Sequence, residues 1–162
     1  MDDKKKLEVL SNINRAAHFE WRRTVLALCP DLDPIEVIKK YWEEVAKDTA
    51  QFYLTKIDPD HDLAPQFASL FVSSSVVMGE DAELLEPTPE GHSRARHNDC
   101  PWYHWHQREN LLNEDQVGCD HWLAVTIEEI NRALGRSLRF ETETSLPAGG
   151  GCCLRRFWEE KT

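Results

Sequence analysis

Leu138-Arg139-Phe140-Glu141-Thr142-Glu143-Thr144, then Ser145-Leu146-Pro147-Ala148-Gly149-Gly150-Gly151, then Cys152-Cys153-Leu154-Arg155-Arg156-Phe157-Trp158 is the stretch whose pattern decides the fold class. Leu138, Phe140, Thr142 and Thr144 alternate with Arg139, Glu141 and Glu143, the period of a strand with one mostly buried face. Pro147 to Gly151 makes the connection, where three consecutive glycines permit positive φ and close backbone approach. The chain returns from Cys152 to Glu160 with Leu154, Phe157 and Trp158, which completes an antiparallel β-hairpin. Adjacent Cys152 and Cys153 then point to opposite faces, so at most one of them faces a given pocket.

Upstream of Phe71 the period changes to that of helices. Leu10, Ile13, Ala17, Trp21, Val25 and Leu28 recur at steps of three and four, which predicts a helix at about 5–28 with that face inward, ending near Cys29-Pro30. Asp33-Pro34-Ile35-Glu36 supplies an N-cap acid and a proline at the first helical position, opening a helix at about 33–57. Its inward residues are Ile38, Tyr41, Trp42, Val45, Thr49 and Phe52. Asp58-Pro59-Asp60-His61-Asp62 lacks the glycine and distal glutamate of a calcium loop and reads as a solvated turn. A short third helix follows at about 63–71.

Val72 to Met78 is β-branched and small, and reads as a strand ending at Gly79-Glu80-Asp81 and pairing with Leu84 and Leu85. His92 to His97 reads as an edge strand on which Arg94 and Arg96 share a face and could hold a substrate carboxylate through bidentate bonds. Helices are expected at about 101–112 and 120–134, separated by Asn113 to Gly118 and closed by Gly135. The expected architecture is one α+β domain over 1–162, with a helical part (1–71) and a mixed part (72–162) that carries the site. In it, the N-terminal helices pack on an antiparallel sheet that ends in the C-terminal hairpin.

Chemistry concentrates in His97-Asn98-Asp99-Cys100-Pro101-Trp102-Tyr103-His104-Trp105-His106. Cys100 precedes a proline at a helix start, where the helix dipole favours thiolate, and His104 stands one turn further on. Cys119 and His121 flank Asp120, the expected N-cap of the next helix. The expected catalytic group is therefore Cys100, His104, Cys119 and His121, meeting in one pocket if both helix starts face the same way. Trp102, Trp105 and Trp122 would line it. His97, Cys100, His104, Cys119 and His121 are the candidate ligands of a zinc ion, although His97-x-x-Cys100-x-x-x-His104 matches none of the usual zinc spacings.

The chain has 19 basic and 29 acidic residues, a net charge of −10, and no basic run longer than Lys4-Lys5-Lys6, which argues against nucleic-acid partners. No apolar run spans a bilayer and Met1-Asp2-Asp3-Lys4 lacks the apolar region of a signal peptide, so the expectation is a cytoplasmic protein without membrane partners. Five cysteines, an odd number, fit packed, reactive or metal-bound thiols in a reducing compartment better than disulfides. Exposed strand edges offer a route to a homodimer.

Cys100-Pro101-Trp102, then Cys119, then a hairpin turn reading Ser145 to Cys153 resemble the L-2-amino-thiazoline-4-carboxylic acid hydrolase family, over roughly His97 to Trp158. The glycine-rich turn, cysteine and aromatic strand are also similar to vinyl-reductase-like small-molecule-binding domains. The first resemblance implies ring-opening hydrolysis of a cyclic C–N bond, giving a carbamoyl-cysteine type product. Three functions follow as expectations. One is a hydrolase in which Cys100 attacks an amidine-like carbon and His104 or His121 moves protons, with no cofactor required. Another is a metal-dependent hydrolase, with Zn activating water. The third is a non-catalytic domain that binds a small apolar or aromatic ligand.

Overall fold

The computed structural model describes residues 1–160, among which five helices and four strands follow in the order α1 (Asp3–Leu28), α2 (Pro34–Leu54), α3 (Leu63–Val77), β1 (Asp81–Leu85), β2 (Ser93–Asp99), α4 (Pro101–Glu109), α5 (Leu112–Leu134), β3 (Leu138–Thr144) and β4 (Cys153–Glu159). The sheet is antiparallel, in the order β1-β2-β4-β3. The fold is α+β, with helices concentrated in the N-terminal part and a C-terminal hairpin closing the sheet. No helix of the described residues is long and apolar enough to cross a membrane.

Two expected boundaries move. Val72 to Met78 is not a strand: α3 continues to Val77, because Phe67, Phe71 and Ser75 recur every four residues on one buried face. Tertiary burial overrides the β-branched composition. The serines also find partners there, since the Tyr53 hydroxyl donates to Ser74 Oγ at 2.9 Å and Ser75 Oγ lies 2.9 Å from His97 Nε2. Leu84 and Leu85 consequently pair with β2 instead. The segment Asn113 to Gly118 is not a loop. Asn110 takes the left-handed conformation (φ 59°) that ends α4, Leu111 N donates to His106 O, and α5 starts at Leu112. Its first turn carries Glu114 and Asp115, acids favoured at a helix N-terminus, and both are buried against partners.

The core joins Tyr53 of α2, Phe67 and Phe71 of α3, Leu123, Ile127 and Ile130 of α5, and Leu138 and Phe157 of the hairpin. Gly118 sets the distance between α2 and α5, since a Cβ there would meet Trp42 Cδ1 at 2.8 Å. Gly150 does the same in the hairpin turn, where a Cβ would lie 2.8 Å from Ser145 O. The face of α1 differs from expectation. Ser11, Arg15, His18 and Phe19 are buried, while Leu10, Ile13, Trp21 and Leu28 face solvent. The inward arginines find partners: Arg15 reaches the Met78 carbonyl, and Arg22 makes a bidentate pair with buried Glu114, Nε to Oε2 at 2.6 Å.

Candidate functional site

A cavity of about 540 Å³ lies between the helices and the sheet. Its position follows from strand alternation. Phe157 is fully buried against Phe67 and Phe71, so Cys153 and Arg155, at steps of two on β4, share that inward face. Arg155 is 3% exposed. Its Nη2 donates to Cys119 Sγ at 3.0 Å and lies 3.7 Å from Asp120 Oδ1, while its Nε is buried without a partner. A buried guanidinium with an unmatched N–H lining a cavity is a seat for an anionic group.

Two imidazoles border the same space. On β2, His97 Nε2 lies 3.2 Å from Glu80 Oε2 as well as 2.9 Å from Ser75 Oγ, and its Nδ1 is buried and unpartnered. On α4, His106 Nδ1 donates to Trp102 O at 2.9 Å and stands 3.4 Å from Asp115 Oδ1, which leaves Nε2 buried and free to accept. Each ring is thus oriented by a carboxylate with one nitrogen uncommitted, the arrangement of an acid–base group. Tyr41, Trp42, Phe71, Trp102 and Trp122 supply aromatic walls. Behind them His18 packs against Tyr41 and Trp102, and burial first, then His106 and Arg22, lower its pKa to about 4, so it is a neutral filler.

Three cysteines face the cavity: Cys100, Cys119 and Cys153. Burial pushes the Cys100 thiol well above its ordinary range, Glu80 adds to this, and the Tyr103 backbone N–H opposes it weakly. Burial also pushes Cys119 up to about 12, with Arg155 pulling the other way. Burial raises Cys153 too. Burial acts to lower Arg155, but the neighbouring sulfurs and Asp120 outweigh it and hold the guanidinium firmly charged. Asp115 is raised by burial against His106 and Arg155. Of the three sulfurs, Cys119 accepts the 3.0 Å hydrogen bond from Arg155 Nη2.

The structure brings together Cys100, Cys119, His97, Trp102 and Trp122. It separates the others. Cys100 is the N-cap of α4, but His104 turns outward to Asp99 (Nε2 to Oδ1, 2.5 Å), so it is no partner for that thiol. Cys119 and His121 sit inside α5, not at its start, and His121 lies outside the cavity lining. Trp105 stacks on Phe19 beneath the Arg108 guanidinium. Arg94 and Arg96 project from the opposite sheet face, bound to Glu86 O and Glu83, and cannot reach a cavity ligand. The five candidate zinc ligands do not converge, and among the described residues no three His, Cys, Asp or Glu side chains are grouped to hold a metal. The residues absent from the sequence reading are Arg155, Glu80, Asp115 and His106 as an acid–base group.

Solved structures similar in fold include two of note. One is a trafficking protein particle complex subunit 3 from Naegleria fowleri covalently bound to palmitic acid, 10% identical, covering 98% of each chain with a TM-score of 0.55. The other is the phenol-responsive sensory domain of the transcription activator PoxR with phenol, 8% identical, covering 88% of this chain and 73% of that one with a TM-score of 0.57. No curated protein matches the sequence. A family model described as L-2-amino-thiazoline-4-carboxylic acid hydrolase matches residues 11–157, so the likeness extends through the N-terminal helices and is not confined to the C-terminal half. The chain therefore belongs to the L-2-amino-thiazoline-4-carboxylic acid hydrolase family.

Proposed function

We propose that the cavity hydrolyses a small cyclic amidine or thiazoline that carries a carboxylate, with L-2-amino-thiazoline-4-carboxylate as the first substrate to test. The observation that carries this reading is Arg155: a buried guanidinium that touches Cys119 Sγ at 3.0 Å and has an unmatched Nε beside it. Its free N–H binds the substrate carboxylate, the role first given to Arg94 and Arg96. Cys119 is the nucleophile. Its thiol is protonated at rest, so it must lose its proton as it attacks, with Arg155 stabilising the developing thiolate. His106, held by Asp115, or His97, held by Glu80, takes that proton and gives it to the ring atom as its bond to the attacked carbon breaks. A water then adds to that carbon, the same imidazole taking its proton, and the bond to Cys119 Sγ breaks, which restores the thiol and releases the ring-opened product. Cys100, flanked by Glu80, serves as wall. In this reading the chain's own residues suffice for the reaction.

A second reading is favoured by the aromatic lining and by the raised thiols: a non-catalytic domain that holds an apolar or aromatic carboxylate. Two solved structures of similar fold hold palmitic acid and phenol. Incubating the purified protein with L-2-amino-thiazoline-4-carboxylate and following products by mass spectrometry separates the two. Hydrolysis is expected to give a product heavier by one water at a rate proportional to enzyme. Saturable binding with no product would favour the second reading and remove the first.

A further inference from the structure

The inverted polarity of α1 points to an interface. Leu7 (45% exposed), Leu10 (62%), Ile13 (58%), Trp21 (38%) and Leu28 (77%) lie along one solvent face, with Ala17 and Asn14 between them and Leu32 (47%) just beyond. Positions 7, 10, 14, 17, 21, 24 and 28 follow the three–four spacing of a helix-pairing seam. A 26-residue helix is about 39 Å long, so the stripe runs the length of the molecule's edge. Its apolar side chains expose roughly 600 Å² per copy, at the upper end of what a monomer ordinarily leaves in its largest patch. Two such faces bury about 1,200 Å², enough for a stable pair.

We infer that the occupant is a second copy of this chain, with the two α1 helices packed antiparallel about a twofold axis near Ala17. In that register Leu7 meets Leu28 of the other copy, Leu10 meets Thr24 and Val25, and Ile13 meets Trp21. The charges choose the direction. Lys4, exposed near the start of α1, then lies opposite Asp31 in the turn just beyond the end of the other copy's α1, whereas a parallel pair would set the lysines against each other. Neither Lys4 nor Asp31 has an ion-pair partner among the described residues of its own chain. An isologous contact of this kind closes on itself and leaves both sheet edges free. Asn14 lies on the stripe and also lines the cavity, so the pairing face adjoins the site without depending on what the site does.

Light scattering and sedimentation equilibrium on the full chain test this. The wild type is expected to be a dimer at micromolar concentration. The double variant Leu10→Lys/Ile13→Lys is expected to be monomeric, its dissociation constant raised at least 100-fold, with unchanged circular dichroism because both positions are exposed in the monomer. Lys4→Asp is expected to weaken pairing about 10-fold and Asp31→Lys, added to it, to restore it. Ala17→Cys in a Cys29→Ser background should give an intermolecular disulfide on mild oxidation. A wild type monomeric at 100 µM, a double variant that remains dimeric, or an Ala17→Cys chain that does not cross-link would overturn the proposal.

Discussion

Replacing Arg155 with Lys is expected to lower kcat/KM for L-2-amino-thiazoline-4-carboxylate about 100-fold, mostly through KM. Lysine keeps the charge but not the planar fork, so one head cannot hold both the Cys119 sulfur and a carboxylate. Cys119→Ser is expected to act on kcat instead, by about 1,000-fold, with binding retained. Steady-state kinetics on the two variants, with circular dichroism to check folding, show the split. Equal loss of both parameters in Arg155→Lys, or full activity in Cys119→Ser, would remove the assigned roles.

The second large effect concerns stability. Arg22 of α1 and Glu114 of α5 form a bidentate pair in which Glu114 is 2% exposed. Arg22→Ala leaves that carboxylate buried without its cation, and is expected to cost about 3–5 kcal/mol in urea denaturation. Removing both charges in Arg22→Met/Glu114→Leu is expected to recover most of the loss, since an apolar pair of similar volume carries no desolvation penalty. A loss below 1 kcal/mol for Arg22→Ala would mean that α1 is not anchored to α5 by this pair.

How far the sequence carries the structure depends on whether pattern or partner decides each element. The hairpin, α2 with its Asp33-Pro34 start, and Cys100 as the N-cap of α4 were legible because local period and capping chemistry suffice. Where burial of polar residues decides, local reading fails. Ser73-Ser74-Ser75 is helical because Tyr53 and His97 bond its hydroxyls. Glu114-Asp115 starts a helix because Arg22 and His106 face it. The stripe on α1 gave the correct period but the wrong side, since the inward face is polar and the apolar one is left outside.

The site was legible to the same degree. Cys100, Cys119, His97, Trp102 and Trp122 line the cavity, while His104, His121, Trp105, Arg94 and Arg96 do not. One signal could have found Arg155 without coordinates. If Phe157 is core, strand alternation places Arg155 and Cys153 on the same face, and an arginine on the core face of a strand demands an anionic partner. Helix pairs four residues apart do not carry the same force, because Cys100 and His104 diverge at the first turn of α4.

The assignment of substrate to this cavity is tested most directly by alkylating the native protein with and without L-2-amino-thiazoline-4-carboxylate and locating the modified cysteines by mass spectrometry. Cys29 is exposed, is not among the residues that line the cavity, and serves as the internal control. The account predicts that substrate slows modification of Cys119 and its cavity neighbours Cys100 and Cys153 while Cys29 reacts at an unchanged rate. Saturating ligand that leaves the Cys119 rate unchanged would contradict it, because the occupied site would then lie away from Arg155.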